Sequence, residues 1–211
     1  MERDLRDGEL YEARFGWKES RATFWFYAVI VFLLCAVILA RDYWVSTFSR
    51  VEVDGRSMER TLQSGDKLLM RYVEAEELQR GDVIVVYVGD YAEFAGTNTN
   101  YLIKRLIAIE GDKVKFDEGQ LYIQYKNTFG WQLVDEPYAY YTDVSEYPEF
   151  EYKVGQGEIF FLGDNRNQSC DSRYNQPQGS RLERLYKAED VIGVVPDWAV
   201  QYRDILEKIF F

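Results

Sequence analysis

The alternation of apolar and polar positions divides the chain into two unequal parts. From Ala22 through Ala40 no side chain is charged. At about 1.5 Å rise per helical residue this run reaches roughly 28 Å, close to the ~30 Å hydrocarbon thickness of a bilayer. Trp17, Trp25, Tyr27, Tyr43 and Trp44 stand at or near its ends, where amphipathic rings settle at a membrane–water interface. A cleaved signal peptide has a shorter apolar core and a small-residue cleavage site, and neither is evident here. The pattern predicts a charged tail over 1–21, a transmembrane helix over 22–41 and an extracytoplasmic domain over 42–211. Arg14, Lys18 and Arg21 crowd the N-terminal flank, while Arg41, Arg50 and Arg56 are spread beyond the run. That bias favours a cytoplasmic N-terminus.

Past the anchor the period shortens. The runs 51–53, 67–72, 83–88, 101–109, 113–116, 121–125, 159–162 and 191–195 are brief and rich in valine, isoleucine, tyrosine and phenylalanine, which predicts strands. Gly-Asp pairs at 65–66, 81–82, 89–90, 111–112 and 163–164 punctuate them. Glycine supplies a positive φ and aspartate a side-chain turn bond, so each pair predicts a tight turn. The resulting fold class is mainly β, an antiparallel coiled or barrel-like sheet domain following one N-terminal transmembrane helix. The segment 91–100 is polar and reads as a loop. The segment 127–153 is acidic and tyrosine-rich, with Pro137 and Pro148, and reads as an insertion decorating the core. Near the end, Trp198, Tyr202, Ile205 and Ile209 fall at helical spacing. That helix is too short to span a bilayer; it either docks on the domain or lies in a membrane interface.

Composition narrows the chemistry. A net charge of -11 and a pI near 4.7 repel nucleic acid. The chain has no histidine and two cysteines, too few for a zinc cluster. Cys35 lies within the anchor and Cys170 in the domain beyond it, so the two do not pair with each other. Seventeen tyrosines suit a broad sheet surface or one resting against a membrane interface.

Ser57 stands out in the stretch Val53-Asp54-Gly55-Arg56-Ser57-Met58. A serine beside a glycine in a turn can expose its hydroxyl and a nearby backbone N–H, as a nucleophile requires. It also needs a base. Without histidine, that base is a lysine which the fold keeps neutral. Lys104 is the candidate, in the run Tyr101-Leu102-Ile103-Lys104-Arg105-Leu106-Ile107-Ala108-Ile109. Alternation places it on one face with Leu102, Leu106 and Ala108. Full burial lowers a lysine pKa by as much as about 3–5 units from ~10.4, bringing a neutral amine within reach near pH 7–8. The pattern equally allows Lys104 to snorkel to a sheet edge while Arg105 faces solvent. Further on, 161–173 runs from a strand end into small polar and charged residues. There Asp171 and Arg173 could pair and pin a loop, and Ser169 could orient an amine; the same run also reads as a plain turn-rich loop.

Taken together these stretches resemble type I signal peptidases, the membrane-bound serine peptidases that remove signal peptides from exported proteins. Gly55-x-Ser57-Met58-x-x-Thr61-Leu62 is similar to the nucleophile motif, and Lys104-Arg105 followed by Gly111-Asp112 to the lysine motif. Gly163-Asp164-Asn165-Arg166 with Ser169-x-Asp171-Ser172-Arg173 resembles a third box, and Gly81-Asp82-Val83-Ile84 a structural one. The resemblance implies Ser57 as nucleophile, Lys104 as general base, Ser169 positioning the amine, and Asp171 with Arg173 holding the site together. It implies preprotein substrates with small residues at the first and third positions before the cut, a lipid bilayer as the shared environment, and no metal or cofactor. Three departures stand out. Arg60 and Glu110 replace prolines of the family pattern, and Gly55 stands where many members carry an oxyanion-binding serine. The oxyanion would then rest on backbone N–H groups at Gly55 and Ser57. Two rival functions are a self-cleaving Ser-Lys regulator and a non-catalytic relative that binds exported or pilus subunits.

Overall fold

The computed structural model describes residues 2–89, 100–141, 150–173 and 186–211, with side chains described from Arg21 onward. All but the last residue of the predicted loop over 91–100, the partner aspartate of Gly89, and residues 142–149 of the predicted insertion lie outside the described residues. Two compact units result, 1–47 and 48–211.

The first unit is one helix, α1 (Glu2–Thr47). Its stretch Arg21–Thr47 is apolar and long enough to cross a membrane, and its apolar side chains are exposed, as lipid-facing ones are. The segment expected as a tail continues the same helix, consistent with its glutamate, arginine, leucine and alanine content.

The second unit is built from β1 (Phe48–Glu52), β2 (Lys67–Tyr72), β3 (Val83–Tyr87), β4 (Tyr101–Ile109), β5 (Lys113–Asp117), β6 (Gln120–Gln124), β7 (Gln132–Leu133), β8 (Phe150–Lys153), β9 (Ile159–Leu162) and β10 (Val191–Val195). A six-stranded sheet runs β1-β2-β10-β3-β4-β9 and a four-stranded one β7-β6-β5-β8, with every pairing antiparallel. The mainly β, antiparallel reading holds. Most predicted strands recur within a residue or two; β7 and β8 were not anticipated, because they sit in the polar, tyrosine-rich 127–153 segment.

The central strands are buried on both sides, which is why β3 reads as an unbroken apolar run and β4 is apolar on either side of Lys104 and Arg105. Met58, Leu62, Leu69, Val83, Val85 and Val195 form one cluster; Ile84, Val86, Leu102, Leu106, Phe161 and Val191 form another. A third cluster joins the two sheets: Ala108, Phe160 and Leu162 meet Val114, Phe116, Leu121 and Ile123.

The Gly-Asp turns follow one scheme at three places. Asp66, Asp82 and Asp112 each accept the backbone N–H three residues earlier, from Gln63, Gln79 and Ile109, while Gly65, Gly81 and Gly111 take positive φ. Gly163-Asp164 departs from it. Gly163 has no positive φ, and a Cβ there would stand 2.6 Å from the Ser57 carbonyl oxygen and against the Ser169 side chain. This glycine is required by close approach, not by a turn.

At the C-terminus the helical spacing resolves into α2 (Asp197–Gln201) and α3 (Arg203–Phe210), broken at Tyr202. Ala199, Leu206 and Phe210 pack on the domain, so the helix pair docks there. Tyr202, Ile205 and Ile209 are exposed.

Candidate active site

The Ser57 loop is tied at its base and plugged at its centre. Val53 N–H donates to Asp66 O at 2.9 Å and Gly65 N–H to Val53 O at 2.8 Å, so the β1–β2 ladder continues past both strand ends. Met58 and Leu62, one helical turn apart, are fully buried in the core. Anchoring on these two neighbours leaves Ser57 lining a cleft of about 720 Å³. One wall is the edge strand β1 with the loop that follows it. The other includes Tyr101, Leu102, Ile103 and Lys104, with Gln168 and Cys170.

Lys104 sits in β4 opposite Ile84 of β3 and is only 3% exposed. Its Nζ donates to Ser57 Oγ at 2.8 Å and to Ile103 O at 3.1 Å. Burial lowers the ammonium pKa to about 8; nearby Asp171, Cys170 and Asp164 pull it upward and limit the drop. The amine does not reach solvent at an edge. Nor does Arg105 face solvent: it forms a bidentate pair with buried Asp164, at 2.8 and 2.7 Å, and donates to Gly81 O. Tyr138 lies over its guanidinium at 4.0 Å.

The third predicted stretch converges on the same place. Asn165 N–H donates to Ser57 O at 2.9 Å, and Thr61 Oγ1 donates to Asp164. Asp171 and Arg173 pair in bidentate fashion, at 2.8 and 3.0 Å. Asp171 also accepts Gly163 N–H, and Arg173 donates to Arg166 O, so the pair ties the loop to the end of β9. Ser169 is buried beside Gly163. Its hydroxyl has no hydrogen-bond partner; the lysine's second contact goes to Ile103 O instead. The Gly55 N–H donates to Ser64 Oγ at 3.2 Å, an engagement that an oxyanion would have to displace. Burial raises the Cys170 thiol pKa. Among the described residues no group of three potential metal ligands gathers.

Several supporting residues were not singled out from the sequence. Glu136 forms a buried ion pair with Arg166, Tyr141 hydroxyl contacts the same guanidinium, and Tyr140 pairs with Asn165 as an isolated parallel bridge. All three lie in the segment expected to decorate the core. Its composition resembles a solvated loop, and nothing in its local pattern signals a partner thirty residues away.

A serine hydroxyl within hydrogen-bond reach of a buried, easily deprotonated amine can carry out nucleophilic acyl transfer: the amine takes the proton as the oxygen attacks. That chemistry is the class the site defines. The chain's own relationships are more specific. Residues 25–198 match the model of the family described as signal peptidase, peptidase S26, and the chain belongs to that family. Signal peptidase I of Bacillus licheniformis is 35% identical over 161 residues, covering 71% of this chain and 76% of that protein. Signal peptidase I V of Bacillus subtilis is 28% identical over 188 residues, covering 82% and 96%. The crystal structure of a signal peptidase I from Enterococcus faecalis aligns at 24% identity with a TM-score of 0.41, covering 57% of this chain and 97% of that one. That superposition is too loose for any feature to be carried across.

Proposed function

We propose that this chain is a membrane-anchored serine endopeptidase that removes signal peptides from exported preproteins, with Ser57 as nucleophile and Lys104 as general base. The observation that carries this reading is the 2.8 Å contact between Ser57 Oγ and the buried Lys104 amine. A neutral Nζ accepts the Ser57 proton as Oγ attacks the scissile carbonyl. It returns that proton to the departing amine, then activates the water that releases the acyl-enzyme. Asp164 with Arg105, and Asp171 with Arg173, hold the two halves of the site in register. Ser169, buried beside Gly163, is the residue assigned to orient the amine. The oxyanion is received by backbone N–H groups at Ser57 and, once it leaves Ser64, at Gly55.

The substrate enters the cleft with small residues, such as alanine, at the first and third positions before the cut. Residues 22–41 span the cytoplasmic membrane of a bacterium with the N-terminus inside and 42–211 outside. Enzyme and signal peptide then share one bilayer, which raises their effective concentration. An inert binding relative would have no need of a buried lysine aimed at a serine.

The test is cleavage of a preprotein carrying alanine at both recognition positions by the full chain in detergent. Ser57→Ala and Lys104→Ala are each expected to abolish it. Equal processing by wild type and Ser57→Ala would remove the site from the chemistry.

A further inference from the structure

Three residues other than glycine adopt positive φ among those described: Arg60 (82°), Glu118 (48°) and Asn127 (63°). Glu118 occupies the two-residue turn between β5 and β6, where such angles are ordinary. Asn127 belongs to the residue type that best tolerates them. Arg60 has neither excuse. It is the third residue of a turn closed by Thr61 N–H to Met58 O at 3.1 Å, three positions from Ser57, where glycine or asparagine would be the relaxed choice.

The strain has a counterpart in space. The Arg60 guanidinium, although its residue is exposed, stands 4.8 Å from the centroid of the Tyr140 ring, a cation–π distance. Tyr140 in turn grips the segment behind Ser57. Its N–H donates to Asp164 O at 2.7 Å, and its carbonyl accepts Arg166 N–H at 2.9 Å. Between those two residues Asn165 donates its N–H to Ser57 O at 2.9 Å and its Nδ2 to Glu59 Oε2 at 3.0 Å. The contacts close a ring: Arg60 to Tyr140, Tyr140 to 164–166, Asn165 back to Ser57 and Glu59.

We propose that Arg60 and Tyr140 are positioning residues, a brace that fixes the nucleophile turn from behind and so holds Ser57 Oγ against Lys104. The brace acts through Ser57 and rests on the reading of that residue as nucleophile. It uses the Tyr140 ring and backbone but not the hydroxyl. It also accounts for an arginine where the family pattern leads one to expect proline: the proline ring holds φ near −65° and could not follow this turn.

The experiment compares kcat and KM for variants of the full chain in detergent, on a peptide with alanine at the first and third positions before the cut. Because a misplacement of about 1 Å can cost ~10²-fold, Arg60→Pro is expected to lower kcat about 100-fold with little change in KM. Arg60→Gly keeps the backbone angle and loses only the stacking, so its kcat falls severalfold. Tyr140→Ala lowers kcat about tenfold, and Tyr140→Phe recovers most of that loss. Equal activities for the proline and glycine variants, or a phenylalanine variant as poor as the alanine one, would overturn the brace. Should Arg60→Pro not fold, the Tyr140 pair decides alone. Ser57→Ala measured alongside separates the two readings. If it is inactive while the Arg60 variants are equal, only the brace fails; if it is active, both fail.

Discussion

At the scale of single residues, the site depends on how little water reaches Lys104. Desolvation brings its pKa to about 8, so below that pH the amine keeps its proton and has no lone pair to offer Ser57. Cleavage is therefore expected to rise with pH along a limb whose midpoint lies near 8; kcat/KM that is flat from pH 6.5 to 9 would contradict a lysine base. Ser169 allows a cleaner separation of stability from chemistry. Its buried hydroxyl lacks a partner, so Ser169→Ala removes an unsatisfied group and should leave the urea midpoint unchanged or raised. A destabilisation beyond ~1 kcal/mol would mean that the hydroxyl is bonded after all. Gly163 makes the opposite case. A methyl there meets the Ser57 carbonyl oxygen at 2.6 Å, and backbone yields poorly, so Gly163→Ala should displace Ser57 and reduce kcat by about 100-fold. Wild-type kcat in that variant would show that the loop gives way.

At the scale of elements, β4 carries the site because it is buried on both faces. One side of the strand presents the amine to the serine loop. The next residue, Arg105, turns its charge into a buried pair with Asp164 rather than outward. The pair ties β4 to the loop after β9. Removing one partner of a buried pair strands the other, at a cost of about 3–5 kcal/mol. Asp164→Ala should show a loss of that size in urea unfolding, and a loss within the range of an exposed pair, under ~1 kcal/mol, would refute the assignment. The described part of 127–153 behaves likewise as structure. It adds β7 and β8 to the second sheet and sends Glu136, Tyr138 and Tyr140 toward the site.

At the scale of the molecule, 48–211 forms its own unit with cores independent of α1. A chain cut before Phe48 is therefore expected to fold and to cleave a soluble peptide with kcat/KM close to that of the full chain. Its rate on a preprotein held in vesicles should fall by about 10² or more, because confinement in a common bilayer is lost. Equal rates for both forms on vesicle-bound preprotein would show that the anchor contributes nothing to substrate capture.

What the sequence by itself determined about this protein is what depends on near neighbours along the chain: the apolar span, strands of valine and isoleucine, three glycine–aspartate turns, and a serine and a lysine in recognisable company. Periodicity and turn chemistry are local, and local rules suffice to read them. Only the tertiary structure decided that Lys104 is sealed off rather than at an edge, that Arg105 points inward, and that Gly163 is a point of close approach. It alone decided that a tyrosine-rich stretch read as an insertion bonds to the segment behind Ser57. Burial of Arg105 and of Arg166 is tolerable because Asp164 and Glu136 arrive from far along the chain, and composition carries no record of such meetings.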